Sequence, residues 1–261
     1  MTGRRIAFIN EKGGTCKTTL AVNTAAWFAQ KKNLKVLLID LDTQGHAGKS
    51  LGIDVRSLPT NVFHWLTNTN VALLDVVRPS AISNLFVVPS YKQMANFPLQ
   101  VANQVDRDTL LRDRMKEVEK AGYDMVVFDS PPSLGLTTTN ILLAATEVVV
   151  PVATTYLSLD GCAEMNETVR KVSEKENRAL HISLVVPTLY RKTALADEVV
   201  EKLEKYFPGK MARQPLGFNV AIDEAQSHGK TIWEYAPWSR GATLLQSVAE
   251  DVDAAAKHAR V

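Results

Sequence analysis

The chain predicts an α/β protein, a doubly wound, mostly parallel sheet flanked by helices. Three observations carry that prediction. Apolar, β-branched runs alternate with segments of helical period along the whole chain. The runs are almost continuously hydrophobic, as strands covered on both faces are. The connections are short, and no Pro-rich or low-complexity linker interrupts them. With 261 residues, 46% of them hydrophobic, there is enough apolar material for one large core. The expectation is therefore a single domain over 1–261, without an internal repeat.

Strands are predicted at 5–10, 35–39, 85–89, 124–128, 147–151 and 181–186. Helices are predicted at 17–32, 106–120, 137–145, 159–176, 195–207 and 241–258.

Between the first strand and the first helix stands Lys12, Gly13, Gly14, Thr15, Cys16, Lys17, Thr18, Thr19. Small residues let consecutive backbone N–H groups curl around an oxyanion, and the following helix start adds its positive end. Lys17 supplies a point charge for the β and γ phosphates, and the Thr18 hydroxyl is placed to ligate Mg²⁺. The usual G-x-x-x-x-G-K-[ST] spacing is not met, because Cys16 stands where its second glycine would be and neither position 11 nor position 12, which is Lys, is a glycine. A second lysine, five residues ahead of Lys17, is the informative departure.

Two further segments end strands on acids. The run Leu37 to Asp40 is followed by Leu41 and Asp42, two carboxylates two residues apart. They point the same way if strand geometry persists. In a nucleotide site one such acid orients Mg²⁺ through water and the other positions the attacking water. The run Met125 to Phe128 ends on Asp129, with Pro131 and Pro132 behind it. Ligands of open α/β sheets collect at such strand ends, and the prolines impose an extended loop.

With these three motifs in order, the chain resembles the deviant Walker A ATPases, and among them the ParA/Soj-type partition ATPases of the MinD/ParA superfamily. The likeness runs over nearly its whole length, through 129–140, 147–161, 224–230 and 239–242. The resemblance implies a slow, partner-stimulated ATPase that uses ATP and Mg²⁺. It implies an ATP-dependent sandwich homodimer that binds nonspecific DNA and segregates or positions plasmid, chromosome or other cargo. A ParB-like or other cargo adaptor would stimulate hydrolysis, and the protein would be cytoplasmic and nucleoid-associated.

Carried over to this sequence, Lys12 would be the signature lysine that reaches the partner's nucleotide, and Lys17 the phosphate lysine. Thr18 would be the Mg²⁺ ligand and Asp42 the water-positioning acid, with Asp40 and Asp129 supporting metal and water. Pro215 and Asn219 match a proline and an asparagine that approach the adenine. Of two arginines that DNA-binding relatives carry, one falls on Lys192, beside Arg191, and the other on Ala221. Lys210, Arg213 and Arg240 are the substitute cations. Cys16 replaces a residue that is glycine in most relatives. A left-handed backbone there would cost about 1 kcal/mol or more, and a thiol at a helix start can gain reactivity.

Composition narrows the alternatives. A net charge of +2 announces no polyanion partner by itself. Cys16 and Cys162 form no C-x-x-C pair, which argues against a disulfide framework and against a cluster-bearing iron-protein reductase. No run approaches the roughly 18 apolar residues of a membrane span, and 1–5 lacks an apolar signal core. A MinD-like ATPase acting on a membrane or protein surface is the main rival. The segment 248–261 contains Glu250, Asp251 and Asp253 and no bulky apolar face, so no membrane partner is expected. A scaffold whose nucleotide merely locks a dimer is the non-enzymatic rival, disfavoured by Lys12 and Asp42.

Overall fold

The computed structural model describes residues 3–155 and 158–258. The described residues form one eight-stranded sheet in the order β3-β4-β2-β5-β1-β6-β7-β8. The strands are β1 (Arg4–Phe8), β2 (Val36–Asp40), β3 (Arg78–Pro79), β4 (Leu85–Val88), β5 (Met125–Asp129), β6 (Glu147–Ala153), β7 (His181–Tyr190) and β8 (Leu216–Gly217). Only the β3–β4 pair is antiparallel. This is the doubly wound, mostly parallel architecture that the alternating pattern predicts.

Helices cover both faces of the sheet. They are α1 (Lys17–Lys31), α2 (His46–Ser50), α3 (Val62–Thr67), α4 (Leu73–Val76), α5 (Phe97–Gln100), α6 (Leu110–Lys120), α7 (Leu136–Ala144), α8 (Ser158–Lys175), α9 (Ala194–Tyr206), α10 (Val220–Ser227), α11 (Ile232–Tyr235) and α12 (Arg240–His258). Alternation along each strand divides the apolar residues between two cores. Ala7, Leu37 and Ile39 pack with α6, α7 and α8 residues, whereas Ile6, Phe8 and Leu38 pack with α1 and α12. Burial on both faces is why the strands read as unbroken apolar runs.

Several boundaries differ from the sequence prediction. The helix expected from residue 106 begins at Leu110, and its early N–H at Leu111 is satisfied by Asn140 Oδ1 of α7 at 3.1 Å. A cap supplied by another helix leaves no local sequence signal. Strand β7 continues past Pro187 to Tyr190, because Pro187 still pairs in register with Val152. The short helices α2 to α5, α10 and α11 and the two-residue strands β3 and β8 were not anticipated. Apart from the eight-residue α10, each is too short to show a period, and α3 is instead fixed by its Asn61 cap, whose side chain accepts from Phe63 N at 3.0 Å. Residues 1 and 2 of the segment read for a signal core, and 259–261 of the terminal segment, lie outside the described residues.

Register brings the key strand ends together. Asp129 is the Cα partner of Phe8 on β1 and of Asp40 on β2. The loops after β1, β2 and β5 therefore leave the sheet side by side, at the carboxyl end where open α/β sheets hold ligands.

Candidate functional site

The loop after β1 is tied down at both ends. Asn10, buried, donates from Nδ2 to Pro151 O at 2.7 Å, and its Oδ1 accepts from Lys12 N at 2.9 Å. Thr188 Oγ1 of β7 donates to Thr15 O at 3.2 Å. Gly14 has φ 72 and Cys16 has φ 65, so two left-handed residues curl the chain into α1. The left-handed conformation at Cys16 is the strained case considered for that position, and it is held by the Leu20 N–H donating to Cys16 O at 3.0 Å. A Cβ on Gly13 or Gly14 would meet nothing within 4 Å, so the concave side of the loop is open space.

That space is a cavity of about 600 Å³ lined by residues 13–19 together with Asp42, Gln44, Pro132, Asp223 and Gln226. Lys17 is buried beneath it and donates from Nζ to Lys12 O at 3.0 Å. Burial lowers the Lys17 pKa from its ordinary value, and the carboxylates of Asp129 and Asp42 act in the opposite direction. Thr18 Oγ1 donates to Asp129 Oδ2 at 2.7 Å. Asp129 is fully buried, and its other oxygen, Oδ1, has no hydrogen-bond partner. Burial pushes the Asp129 carboxyl up to about 7, with the Thr18 hydrogen bond and Lys17 opposing and Asp42 adding to the rise.

A hydroxyl on one oxygen of a buried carboxylate, and an unpartnered oxygen beside it, fit a hard cation such as Mg²⁺. No group of three His, Cys, Asp or Glu side chains among the described residues could hold a metal unaided. Mg²⁺ needs none, since it takes one or two protein oxygens and completes its shell from water and substrate phosphates. Thr18 and Asp129 would hold it.

Asp40 has a different task from the metal-supporting one expected of it. Both oxygens are occupied by backbone amides, Oδ1 by Asp42 N and Oδ2 by Ala47 N, each at 3.0 Å. Burial, then the neighbouring Asp129, raises its pKa well above the ordinary carboxylate range. Asp40 thus shapes the turn that follows β2. That turn ends strand geometry, so Asp40 points into the protein while Asp42 lines the cavity. Asp42 Oδ1 in turn accepts from Gln44 N at 3.1 Å.

Lys12 lies elsewhere. It is not part of the cavity above its own loop; it lines a neighbouring one of about 370 Å³ with Asn10, Glu11, Pro132, Ser133, Leu134 and Gly161.

The remaining predicted residues divide. Asn219 caps α10, its side chain accepting from Ala221 N at 3.1 Å, and it lines a small cavity with Cys16, Thr19, Leu189, Phe218 and Asp223 that opens beside the phosphate loop. Pro215 lines neither cavity. Arg191 lies over the Phe218 ring, 5.3 Å from its centroid. Lys192 and Arg240 are exposed. Lys210 and Arg213 line a separate cavity between β7 and α12, shared with Glu250 and Asp251. Arg213 is ion-paired with Asp251 and also with Glu250, at 2.9 Å, so it does not stand as a spare cation for DNA. Reactivity at Cys16 is also corrected: burial, then Asp223, pushes its thiol up to about 11, away from thiolate character at neutral pH. Sequence reasoning missed Asn10, Thr188 and Gln226, whose Nε2 donates to Thr19 Oγ1 at 2.7 Å. Their partners are distant in the chain, and no local pattern marks them.

The fold and the loop together define a nucleotide-binding ATPase of the P-loop class with a deviant phosphate loop. Residues 3–182 match the family described as AAA domain. The sporulation initiation inhibitor protein Soj of Bacillus subtilis is 37% identical over 253 residues, covering 97% of this chain and 99% of that protein. The chromosome-partitioning ATPase Soj of Treponema pallidum is 35% identical over 251 residues, covering 96% and 97%. Among solved structures, the cobyrinic acid a,c-diamide synthase of Mycobacterium smegmatis with bound ADP and magnesium has a TM-score of 0.81 at 26% identity, covering 95% of this chain and 93% of that one. The chain belongs to the ParA/Soj-type family of deviant Walker A ATPases.

Proposed function

We propose that this chain, acting as one domain over 1–261, is a positioning ATPase that works through a nucleotide-dependent dimer. It binds ATP with Mg²⁺, pairs with a second copy, holds nonspecific DNA in that state, and segregates or positions a plasmid, chromosome region or other cargo. Slow hydrolysis, stimulated by a ParB-like or other adaptor, resets the dimer, and DNA binding makes the protein nucleoid-associated.

The placement of Lys12 carries this reading. Lys17 sits under its own phosphate cavity, whereas Lys12 lines the next cavity, beyond Pro132. A lysine turned away from its own nucleotide loop is suited to reach the phosphates bound by a partner. There its charge meets the negative charge that builds on the phosphates during transfer. Asp42, which lines the same cavity as Lys17, aligns water for in-line attack, and Lys17 holds the phosphates. Mg²⁺ at Thr18 and Asp129 would add charge neutralisation between the phosphates. Asn219, lining the small cavity beside Cys16, supports adenine binding next to the loop.

The second reading is a MinD-like ATPase on a membrane or protein surface. It draws on Ala221 at the expected arginine position and on the neutralised Arg213. Binding to a nonspecific duplex without nucleotide, with ADP and with ATP, at low and moderate salt, separates the two. Binding that requires ATP and weakens with salt is expected. A dimer that ignores DNA in every state would favour the second reading.

A further inference from the structure

Lys49, Arg56 and Lys92 converge with Thr43, Gln44 and Tyr91 on one cavity of about 370 Å³ whose lining includes no carboxylate. The ammonium groups of Lys49 and Lys92 lie 5.9 and 5.8 Å from the centroid of the Tyr91 ring. Among the described residues, none of the three cations is paired with an acid; Asp54 accepts from the backbone N–H of Arg56, not from its guanidinium. Three like charges lining one cavity repel one another, and an anion in the cavity would relieve that repulsion.

The exposure of the cluster selects the kind of anion. Arg56 and Lys92 are exposed and Lys49 is partly so. Solvent and salt screen such charges, so a small free anion gains little there. An extended polyanion gains more, because each neutralised phosphate releases condensed counterions. Tyr91 adds a hydroxyl donor and an aromatic face between the cations. By contrast, Arg213 already has its acids.

We propose that this cavity is a contact site for the phosphodiester backbone of duplex DNA. The inference rests on the DNA-binding reading above and names a surface for it that the resemblance did not suggest. The site adjoins the nucleotide cavity through Gln44, which lines both. Lys49 Nζ donates to Gln44 O at 2.6 Å, and Gln44 N donates to Asp42 Oδ1. A phosphate that engages Lys49 is therefore one residue removed from the loop holding Asp42.

The test is anisotropy of a labelled nonspecific duplex titrated with the ATP-bound protein over a salt series, comparing wild type with Arg56→Gln/Lys92→Gln. That double variant leaves the Lys49–Gln44 hydrogen bond in place, and ADP affinity equal to wild type checks its fold. The plot of log affinity against log salt should become shallower by about 1.8 per protomer, 0.9 for each lost phosphate contact, with affinity at least roughly tenfold weaker at low salt. Wild-type affinity and slope in the variant would overturn the inference and leave the DNA reading standing. Absence of DNA binding by the wild type would overturn both, and that result is read without the variant.

Discussion

The phosphate-loop end of the sheet and the segment from β7 to α12 both border the nucleotide cavity, yet they are built on opposite terms. In the first, buried groups hold one another: Asn10 on Pro151, Thr18 on Asp129, and Asp40 on two backbone amides. In the second, Arg191, Lys192, Lys210 and Arg240 are exposed, and Arg213 is tied to α12. An anion cradle is made chiefly of backbone N–H groups, whose directions follow from a few residues in sequence. A charged surface depends on which acids lie nearby, and those can come from anywhere in the chain.

The largest expected effects break the phosphate-loop side. If Lys12 acts in trans as proposed, Lys12→Ala should reduce ATP turnover by about 100-fold or more and weaken ATP-driven dimerisation. Asp42→Ala should reduce turnover to a similar extent, within the roughly 10²–10⁴ range of positioned acid–base groups, and retain the dimer. Phosphate release measured beside light scattering in ATP distinguishes them. A fully active Lys12→Ala protein would remove the reason for placing Lys12 in trans.

A middle-sized effect sharpens the comparison at Cys16, where local geometry is strained. Cys16→Gly relieves the left-handed backbone, worth about 1 kcal/mol, and loses part of the side-chain packing against α1. Thermal melting should rise by about 2 °C, the usual scale for a chain of this size. The same site gives a pH test. With the thiol pKa near 11 in the folded protein, the thiolate is disfavoured up to that pH, so alkylation of Cys16 should stay slower than that of a free cysteine through pH 9. Rapid modification at pH 8, located by mass spectrometry, would contradict the raised thiol pKa of this partly buried residue.

The smallest effect on function is expected on the charged side. Arg213→Gln should change DNA affinity by less than about twofold, because its charge is already met by Asp251 and Glu250. Stability should fall by about 1–3 kcal/mol, because Asp251 is buried and its Oδ1 loses the guanidinium that meets it; urea unfolding and duplex titration measure the two. A tenfold loss of DNA affinity would show that the α12 acids release the guanidinium to phosphate.

The sequence by itself determined the sheet class, the long helices and the phosphate loop. These rest on interactions between near neighbours, namely strand alternation, helical period, and the Gly14 and Cys16 backbone that leads into α1. It also placed acids at the ends of β2 and β5. Only the tertiary structure decided what those acids do: Asp40 turns inward to Ala47 N, Asp42 faces the cavity, and Asp129 meets Thr18 from 111 residues away. Tertiary packing alone joined Arg213 to Asp251, capped α6 with Asn140 and brought Lys49, Arg56 and Lys92 to one cavity with Tyr91. The physical reason is common to all of these. A backbone conformation is written in the residues that adopt it, whereas the state of a charge is set by whatever the fold brings within a few ångströms of it.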